Sequence, residues 1–227
     1  MNKKNYLSPE QKKILANTEL FVKEKLANKG KGHHDWQHIQ RVKNLAINIA
    51  SKENADTFTV TLGALLHDVA DWKFQENKDT ETGMLIAKEW LGNQRVGKKV
   101  IENVCDIVNN SSFKGVGVED NLKSLEGQVV QDADRLDAMG AIGIGRTFAY
   151  GGSKNREMYN PNIEIKMAKS FEDYKNAGQT TINHFYEKLL LLKGRMNTNT
   201  GRKIAEHRHK YMEKFLQEFT EECEGKI

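Results

Sequence analysis

The chain has 227 residues, of which 38% are hydrophobic and 29% charged, and its formal net charge is +4. This length is near the upper end for one hydrophobic core, so we expect a single domain over residues 1–227. The small net charge, without a basic stripe of interleaved aromatic residues in the sequence, argues against a nucleic-acid partner. No apolar run approaches the ~18 residues of a membrane span, so we expect no membrane partner.

The cysteines and the first residues bear on location. Cys105 and Cys223 do not form a CxxC pair, and residues 1–6 lack the apolar core of a signal peptide. Disulfides are rare in reducing compartments, where unpaired cysteines are common. We therefore expect a reduced, cytoplasmic protein.

Helical signals follow one another along the chain and predict an all-α fold. Ser8, Pro9 and Gln11 indicate a helix start, with Ser as the N-cap and Gln at the capping-box position. The chain has only two prolines, and its apolar residues recur at helical spacing. We expect a first helix that ends before Gly30, a second that runs to about Ser51, and a third that is capped by Asp56 or Thr57 and carries His67 and Asp68. Further helices are expected at roughly 80–91, 96–108, 119–137, 139–150, 180–192 and 201–219.

The region from Gly151 to Gly178 departs from this helical pattern. It is polar and contains Tyr159-Asn160-Pro161, so it is either a lid or a loose insertion. We expect the domain core over about residues 32–140. The remainder, 141–227, would complete the fold as a C-terminal helical extension that carries the polar insertion near 151–178.

One apolar helical run ends in two polar residues that need an explanation. Val60–Leu66 is followed at once by His67 and Asp68, and burying a carboxylate is costly unless it is paired or binds a metal. A divalent cation accounts for this ending. His38 on the preceding helix and Asp134 on a later one could supply further donors, and imidazole with carboxylate suits transition metals better than Ca²⁺. The alternatives are a surface position for His38 and an ion pair between Asp134 and the adjacent arginine.

Three longer strings of residues point to a known family. They are His34-Asp35-Trp36-x-His38-x-x-Arg41-Val42, Leu65-Leu66-His67-Asp68-x-x-Asp71-x-Lys73 and Val130-Gln131-Asp132-Ala133-Asp134-Arg135-Leu136-Asp137-Ala138. Their order resembles the HD-domain superfamily of metal-dependent phosphohydrolases, whose ligands are one His, a His-Asp pair and a distant Asp. The strings are similar to its bacterial single-domain (YpgQ/YedJ-like) subgroup, and Arg208-His209 near the C-terminus is also similar.

The resemblance assigns roles by position in these strings. It implies that the metal ligands are His38, His67, Asp68 and Asp134. It also implies that Asp71, one helical turn beyond His67, is the general acid or base. For His34 the family pattern implies contact with phosphate or transfer of a proton, and a place among the metal ligands stays open. For Asp71, a helix N-cap or an ion pair with Lys73 stays open.

Cationic residues near these strings are the candidate phosphate ligands. We expect Arg41 to hold phosphate through its planar guanidinium and Lys73 to do so as a point charge. Lys114 is a further candidate, for which a solvated loop position is an equal alternative. The buried or solvated histidines His184, His207 and His209 are expected to be structural.

The resemblance implies a fold, a cofactor and an activity. The fold is an HD-domain helical bundle, and the cofactor is a divalent ion, for which we expect Mn²⁺ while Mg²⁺, Fe²⁺, Zn²⁺, Ni²⁺ and Co²⁺ stay open. The activity is hydrolysis of a small-molecule nucleotide, with release of pyrophosphate from a nucleoside triphosphate. A 5′-nucleotidase, a cyclic phosphodiesterase, an alarmone hydrolase and a non-catalytic sensor of metal or nucleotide stay open, as does a homodimer.

Overall fold

The computed structural model of the chain describes residues 6–27, 36–69, 82–111, 121–165 and 180–227. Within these ranges every regular element is a helix, which confirms the all-α prediction. The helices are α1 (Pro9–Ala27), α2 (Trp36–Glu53), α3 (Thr57–Leu66), α4 (Thr82–Asn93), α5 (Lys98–Asn110), α6 (Leu125–Asp137), α7 (Gly140–Ser153) and α8 (Asn199–Cys223). A π-helical turn, Phe185–Leu189, and a 3₁₀ helix, Leu190–Arg195, precede α8.

Side-chain caps explain where two of these helices begin. At the start of α1 the Ser8 backbone N–H donates to Gln11 Oε1 at 2.9 Å, and the Gln11 N–H donates to Ser8 Oγ at 3.1 Å. This reciprocal pair is the predicted capping box. At the start of α3 the Asp56 carboxylate accepts from the Thr59 N–H at 2.9 Å, so Asp56 is the N-cap.

The described residues divide into two compact units, with the boundary after Asp134 within α6. The N-terminal unit contains the described residues up to 111 together with 121–134, and the C-terminal unit contains 135–165 and 180–227. The sequence-based expectation of one domain with its core at about 32–140 stays a prediction.

Helix α3 is central to the N-terminal unit. All ten of its residues are buried, as expected for a helix that is apolar on every face. It packs among α1, α2 and α5, and Leu62, Leu65 and Leu66 belong to the unit's main hydrophobic core. This burial carries the residues that immediately follow α3 into the interior of the unit.

The C-terminal unit packs α7 against α8 and surrounds the π-helical turn with aromatic rings. Phe148, Tyr159, Phe185, Phe215 and Phe219 lie with neighbouring ring centroids 5.8–6.2 Å apart.

Three boundaries in the C-terminal unit differ from the expectation. Helix α7 continues to Ser153, so the first residues of the expected polar insertion are helical. The expected helix at 180–192 is a π-helical turn followed by a 3₁₀ helix, and α8 starts earlier and ends later than 201–219.

An ideal Cβ on Gly151 would lie 2.1 Å from Thr181 Oγ1, so the last turn of α7 depends on a glycine that permits this close approach. No helix in the described ranges is both long and apolar enough to cross a bilayer.

Candidate metal centre

Three helices of the N-terminal unit bring the predicted ligands together. His38 lies near the start of α2 and is completely buried. His67 and Asp68 directly follow α3 and are 5% and 6% exposed. Asp134 is in the C-terminal half of α6, and its side chain is 26% exposed. The cluster is therefore buried on its histidine side and reaches solvent at Asp134.

The donor atoms of these four side chains face one another. His38 Nε2 lies 3.4 Å from Asp68 Oδ2 and 3.5 Å from Asp134 Oδ1. His67 Nε2 lies 3.4 Å and 3.8 Å from the same two oxygens. The imidazole rings are 5.4 Å apart at an interplanar angle of 64°, so they approach edge to face. Each carboxylate oxygen is thus close to both ring nitrogens.

The tautomer of His67 follows from its backbone contact. Its Nδ1 lies 2.8 Å from the Ala64 carbonyl oxygen, an acceptor that requires a proton on Nδ1. In the neutral ring Nε2 then carries a lone pair. This Nε2 is buried and makes no hydrogen bond within the described part of the chain. A buried lone pair that faces two carboxylate oxygens suits a bound cation, since the Nδ1–carbonyl bond is the usual support of a metal-binding histidine.

The spacing of the donors also fits a metal ion. Nitrogen and oxygen ligands lie about 2.0–2.2 Å from a transition metal, which places neighbouring ligand atoms roughly 3–4 Å from each other. The four nitrogen–oxygen separations in the structure fall in that range. Ligand atoms of His38, His67 and Asp134 all lie within 4.8 Å of one another. The residues present therefore fit a divalent cation with mixed nitrogen and oxygen coordination.

Other predicted site residues are only partly covered by the structure. Arg41 is half-buried on α2, three residues after His38 and so on the same side of the helix. His34, Asp71, Lys73 and Lys114 lie outside the described residues. The surface interpretation of His38 is wrong, because hydrophobic packing of α2 buries it completely.

Two aspartates flank Asp134 on α6, and their environments differ. Asp132 is fully buried. Asp137 is also buried, and its carboxylate pairs with Arg146 of α7 at 2.6 Å.

The sequence did not predict that the Ala64 carbonyl is the partner of His67. Every residue type has a backbone carbonyl, so the type of residue 64 gives no indication of this contact.

Comparisons with known proteins identify the family. The family model described as "HD domain" matches residues 35–139. Uncharacterized protein YpgQ of Bacillus subtilis (strain 168) is 36% identical over 206 residues, which cover 90% of this chain and 91% of YpgQ.

Solved structures are similar over almost the whole chain. A crystal structure of an HD-superfamily hydrolase from Bacillus thuringiensis is 42% identical, with a TM-score of 0.75 over 94% of this chain and 98% of the other. The crystal structure of Bacillus subtilis YpgQ in complex with ADP is 33% identical, also with a TM-score of 0.75, over 94% and 96% of the two chains.

Proposed function

This chain belongs to the HD-domain family of metal-dependent phosphohydrolases, and we propose that it hydrolyses nucleoside triphosphates to nucleoside monophosphate and pyrophosphate. The observation that carries the proposal is the convergence of two imidazole nitrogens and two carboxylates in the buried end of the N-terminal unit. The site is partly open at Asp134, where a phosphate oxygen can enter.

The proposed ligands of the metal are His38, His67, Asp68 and Asp134, and the proposed metal is Mn²⁺. Their mixed nitrogen and oxygen donors suit this ion, which also tolerates the oxygens of a phosphate. When bound, a divalent cation lowers the pKa of water and neutralises charge on a phosphate oxygen. The protein's part is to hold that ion with deprotonated carboxylates and a neutral His67 ring, whose tautomer the Ala64 carbonyl supports.

Asp71 is the proposed general acid or base, and His34 is proposed to contact the phosphates. In the proposed reaction water adds to the α-phosphorus, the bond from that phosphorus to the bridging oxygen of the β-phosphate breaks, and pyrophosphate leaves. Asp71 takes the proton that the water loses, and the departing pyrophosphate is protonated from solvent or by Asp71 in return. A positioned acid–base group of this kind typically contributes 10²–10⁴-fold to the rate.

The remaining charge of a triphosphate needs cationic groups beyond the metal. Arg41, Lys73 and Lys114 are proposed to bind the phosphates, Arg41 in a bidentate manner and the lysines as point charges. A nucleotide substrate is supported by the crystal structure of Bacillus subtilis YpgQ in complex with ADP, because that similar protein holds a nucleotide. A cytoplasmic location and a homodimer stay predictions.

Product analysis tests the proposed reaction. The enzyme is incubated with Mn²⁺ and separate nucleoside mono-, di- and triphosphates, and the products are identified by chromatography. We expect nucleoside monophosphate and pyrophosphate from triphosphates, and no turnover by the His67→Ala variant. His207→Ala is the matched control, since His207 is exposed. Release of nucleoside and phosphate from monophosphates, with triphosphates untouched, would instead indicate a 5′-nucleotidase.

A further inference from the structure

Glu126, in the first turn of α6, contacts two other helices of the N-terminal unit. Its Oε1 accepts a hydrogen bond from the Asp56 backbone N–H at 3.0 Å, and its Oε2 accepts from Asn103 Nδ2 of α5 at 3.3 Å. Asn103 also accepts from Ser124 Oγ at 2.7 Å, and Ser124 accepts from the Gly127 N–H at 3.1 Å. The start of α6 is thus tied to α5 and to the N-cap of α3.

The bond to Asp56 completes the cap of α3 from a different helix. Asp56 accepts from the Thr59 N–H, which is one half of a capping box. The other half is usually a Glu or Gln of the same helix that accepts from the N-cap N–H. In α3 that position holds Thr59, and the acceptor is Glu126, seventy positions further along the chain. Such a distant partner links the position of α6 to the start of α3.

Helices α3 and α6 are also the two helices whose C-terminal ends bear ligands. His67 follows the tied residue Asp56 by eleven positions, and Asp134 follows Glu126 by eight. At a rise of 1.5 Å per residue, His67 lies about 16 Å along the chain from Asp56, and Asp134 lies about 12 Å along α6 from Glu126. The 3.8 Å separation of His67 Nε2 from Asp134 Oδ1 therefore depends on the register of one helix against the other.

The position of Gly63, between Asp56 and His67 along the chain, also supports this register of α6 against α3. Gly63 is one turn before His67, and Val130 is one turn before Asp134. An ideal Cβ on Gly63 would lie 3.4 Å from Val130 Cγ2 and 2.9 Å from Ile107 Cδ1. A glycine here lets α3 approach α5 and α6 directly below the ligands. Along both chain segments, this approach lies between the Asp56–Glu126 hydrogen bond and the His67–Asp134 pair.

We propose that Glu126 is a positioning residue of the metal centre, which sets the register of α6 against α3 so that Asp134 meets His67. This inference rests on the metal centre of the proposed function and is independent of the substrate. Glu126 is neither one of the proposed metal ligands nor one of the proposed phosphate-binding residues. Its loss should therefore change how well the four donors converge, in addition to any effect on folding.

The test measures binding of Co²⁺ alone, a metal whose visible absorption reports the geometry of its ligands. The variants are Glu126→Ala, which loses both hydrogen bonds, and Glu126→Gln, which keeps an acceptor for the Asp56 N–H. Glu102→Ala is the control, because Glu102 is an exposed carboxylate of α5 whose partner Lys98 is one turn away at 3.8 Å. Affinity is measured by competition with a chelating dye, well below the melting temperature of each variant.

We expect Glu126→Ala to shift the visible band and to weaken Co²⁺ binding by up to about tenfold, the low end for loss of a group that bonds a ligand directly, since Glu126 acts on Asp134 only through the position of α6. Glu126→Gln should recover most of the affinity, and Glu102→Ala should match the wild type. A lower melting temperature of Glu126→Ala with wild-type affinity and spectrum would overturn the inference. Wild-type protein that binds no Co²⁺ would overturn the metal centre as well. Wild-type protein that binds Co²⁺ but cleaves no nucleotide would overturn only the proposed substrate.

A second pair of variants does not depend on the stability of Glu126→Ala. Gly63→Ala places a methyl group against Ile107 Cδ1 and should weaken Co²⁺ binding in the same assay. Adding Ile107→Val removes that terminal methyl but keeps Cγ2, which would lie 3.2 Å from the new Cβ, so it should restore part of the affinity. Unchanged affinity in Gly63→Ala would contradict the dependence of the ligands on this register.

Discussion

Within the part of the chain that the structure describes, two largely buried groups combine histidine with carboxylate, and their arrangement differs. In the N-terminal unit, His38 and His67 meet Asp68 and Asp134, with donor atoms from three helices 3.4–3.8 Å apart. In the C-terminal unit, His184 and Glu187 are three residues apart, with His184 Nδ1 4.0 Å from Glu187 Oε2. The first group presents several donors to one point, whereas the second is a pair within one turn of chain.

Burial, together with nearby charges, explains why the chemistry of the second group differs. Burial, helped by Lys188 and Arg156, lowers the pKa of His184 to about 3, so its ring is neutral at physiological pH. Burial raises the pKa of the Glu187 carboxyl, while Arg156 lowers it. The positive charges near this pair are thus side chains of the protein, Lys188 and Arg156. The comparison teaches that residue types do not define a metal site, since the number of converging donors and the nearby charges decide it.

The largest expected effect separates the two groups directly. Replacing His67 or Asp68 with Ala removes a converging donor, so metal and activity should be lost together. His184→Ala, which removes the largely buried histidine of the other group, should keep the metal. Elemental analysis of the purified proteins, with about one transition metal per chain expected for wild type, checks both halves. Full metal occupancy in both ligand variants would remove the basis for the assignment.

The next effect concerns a carboxylate that is proposed to act without binding the metal. Asp71→Asn should retain metal and fold while turnover falls by roughly 10²–10⁴-fold, the usual contribution of a general acid or base. Steady-state kinetics together with metal analysis distinguish this loss from that of the ligand variants. Wild-type turnover in the metal-loaded variant would return Asp71 to a capping or ion-pair role.

A smaller effect is expected from His184 in the pH dependence of stability. Its pKa in the folded protein, about 3, is below the value near 6.5 of an unfolded chain. Stability from this residue is therefore fully present above pH 6.5 and falls as pH decreases towards 3, by up to about 1.4 kcal/mol per pH unit. Glu187 opposes this loss at low pH, because its raised pKa lets the folded state take up a proton first.

Urea unfolding of metal-free protein between pH 7.5 and 5.5 measures that slope. His184→Gln should reduce it, whereas His207→Gln should not, since His207 is exposed. Equal slopes in the wild type and the His184→Gln variant would show that His184 titrates alike in the folded and unfolded states.

The smallest effect concerns the carboxylate of the second group. Glu187 is 6% exposed, its Oε1 makes no hydrogen bond within the described ranges, and burial raises its pKa. At neutral pH its charge is a cost, so Glu187→Gln should stabilise the fold by about 1 kcal/mol. Glu213→Gln, at an exposed carboxylate, should change stability by less. Thermal unfolding at pH 7 measures both, and destabilisation by Glu187→Gln would mean that its ion pairing outweighs its burial.

The strongest sequence-based predictions concerned local patterns. Helical spacing predicted an all-α chain, and Ser8 with Gln11 predicted a capping box that the structure contains. Both depend on residues within one or two turns of each other, where backbone geometry fixes which side chains meet. The HD-domain family was also identified from short strings, because metal ligands keep a fixed order along the chain.

The sequence by itself determined the helical class, the family and the residue types available for a metal. Only the tertiary structure decided that His67 Nε2 faces two carboxylates, that His184 is held neutral, and that Glu126 completes the cap of α3. Periodicity at 180–192 predicted an ordinary helix, whereas packing produced a π-helical turn and a 3₁₀ helix. The physical reason is common to these cases: burial and contacts between distant residues depend on which helices pack together, and no local spacing encodes that choice.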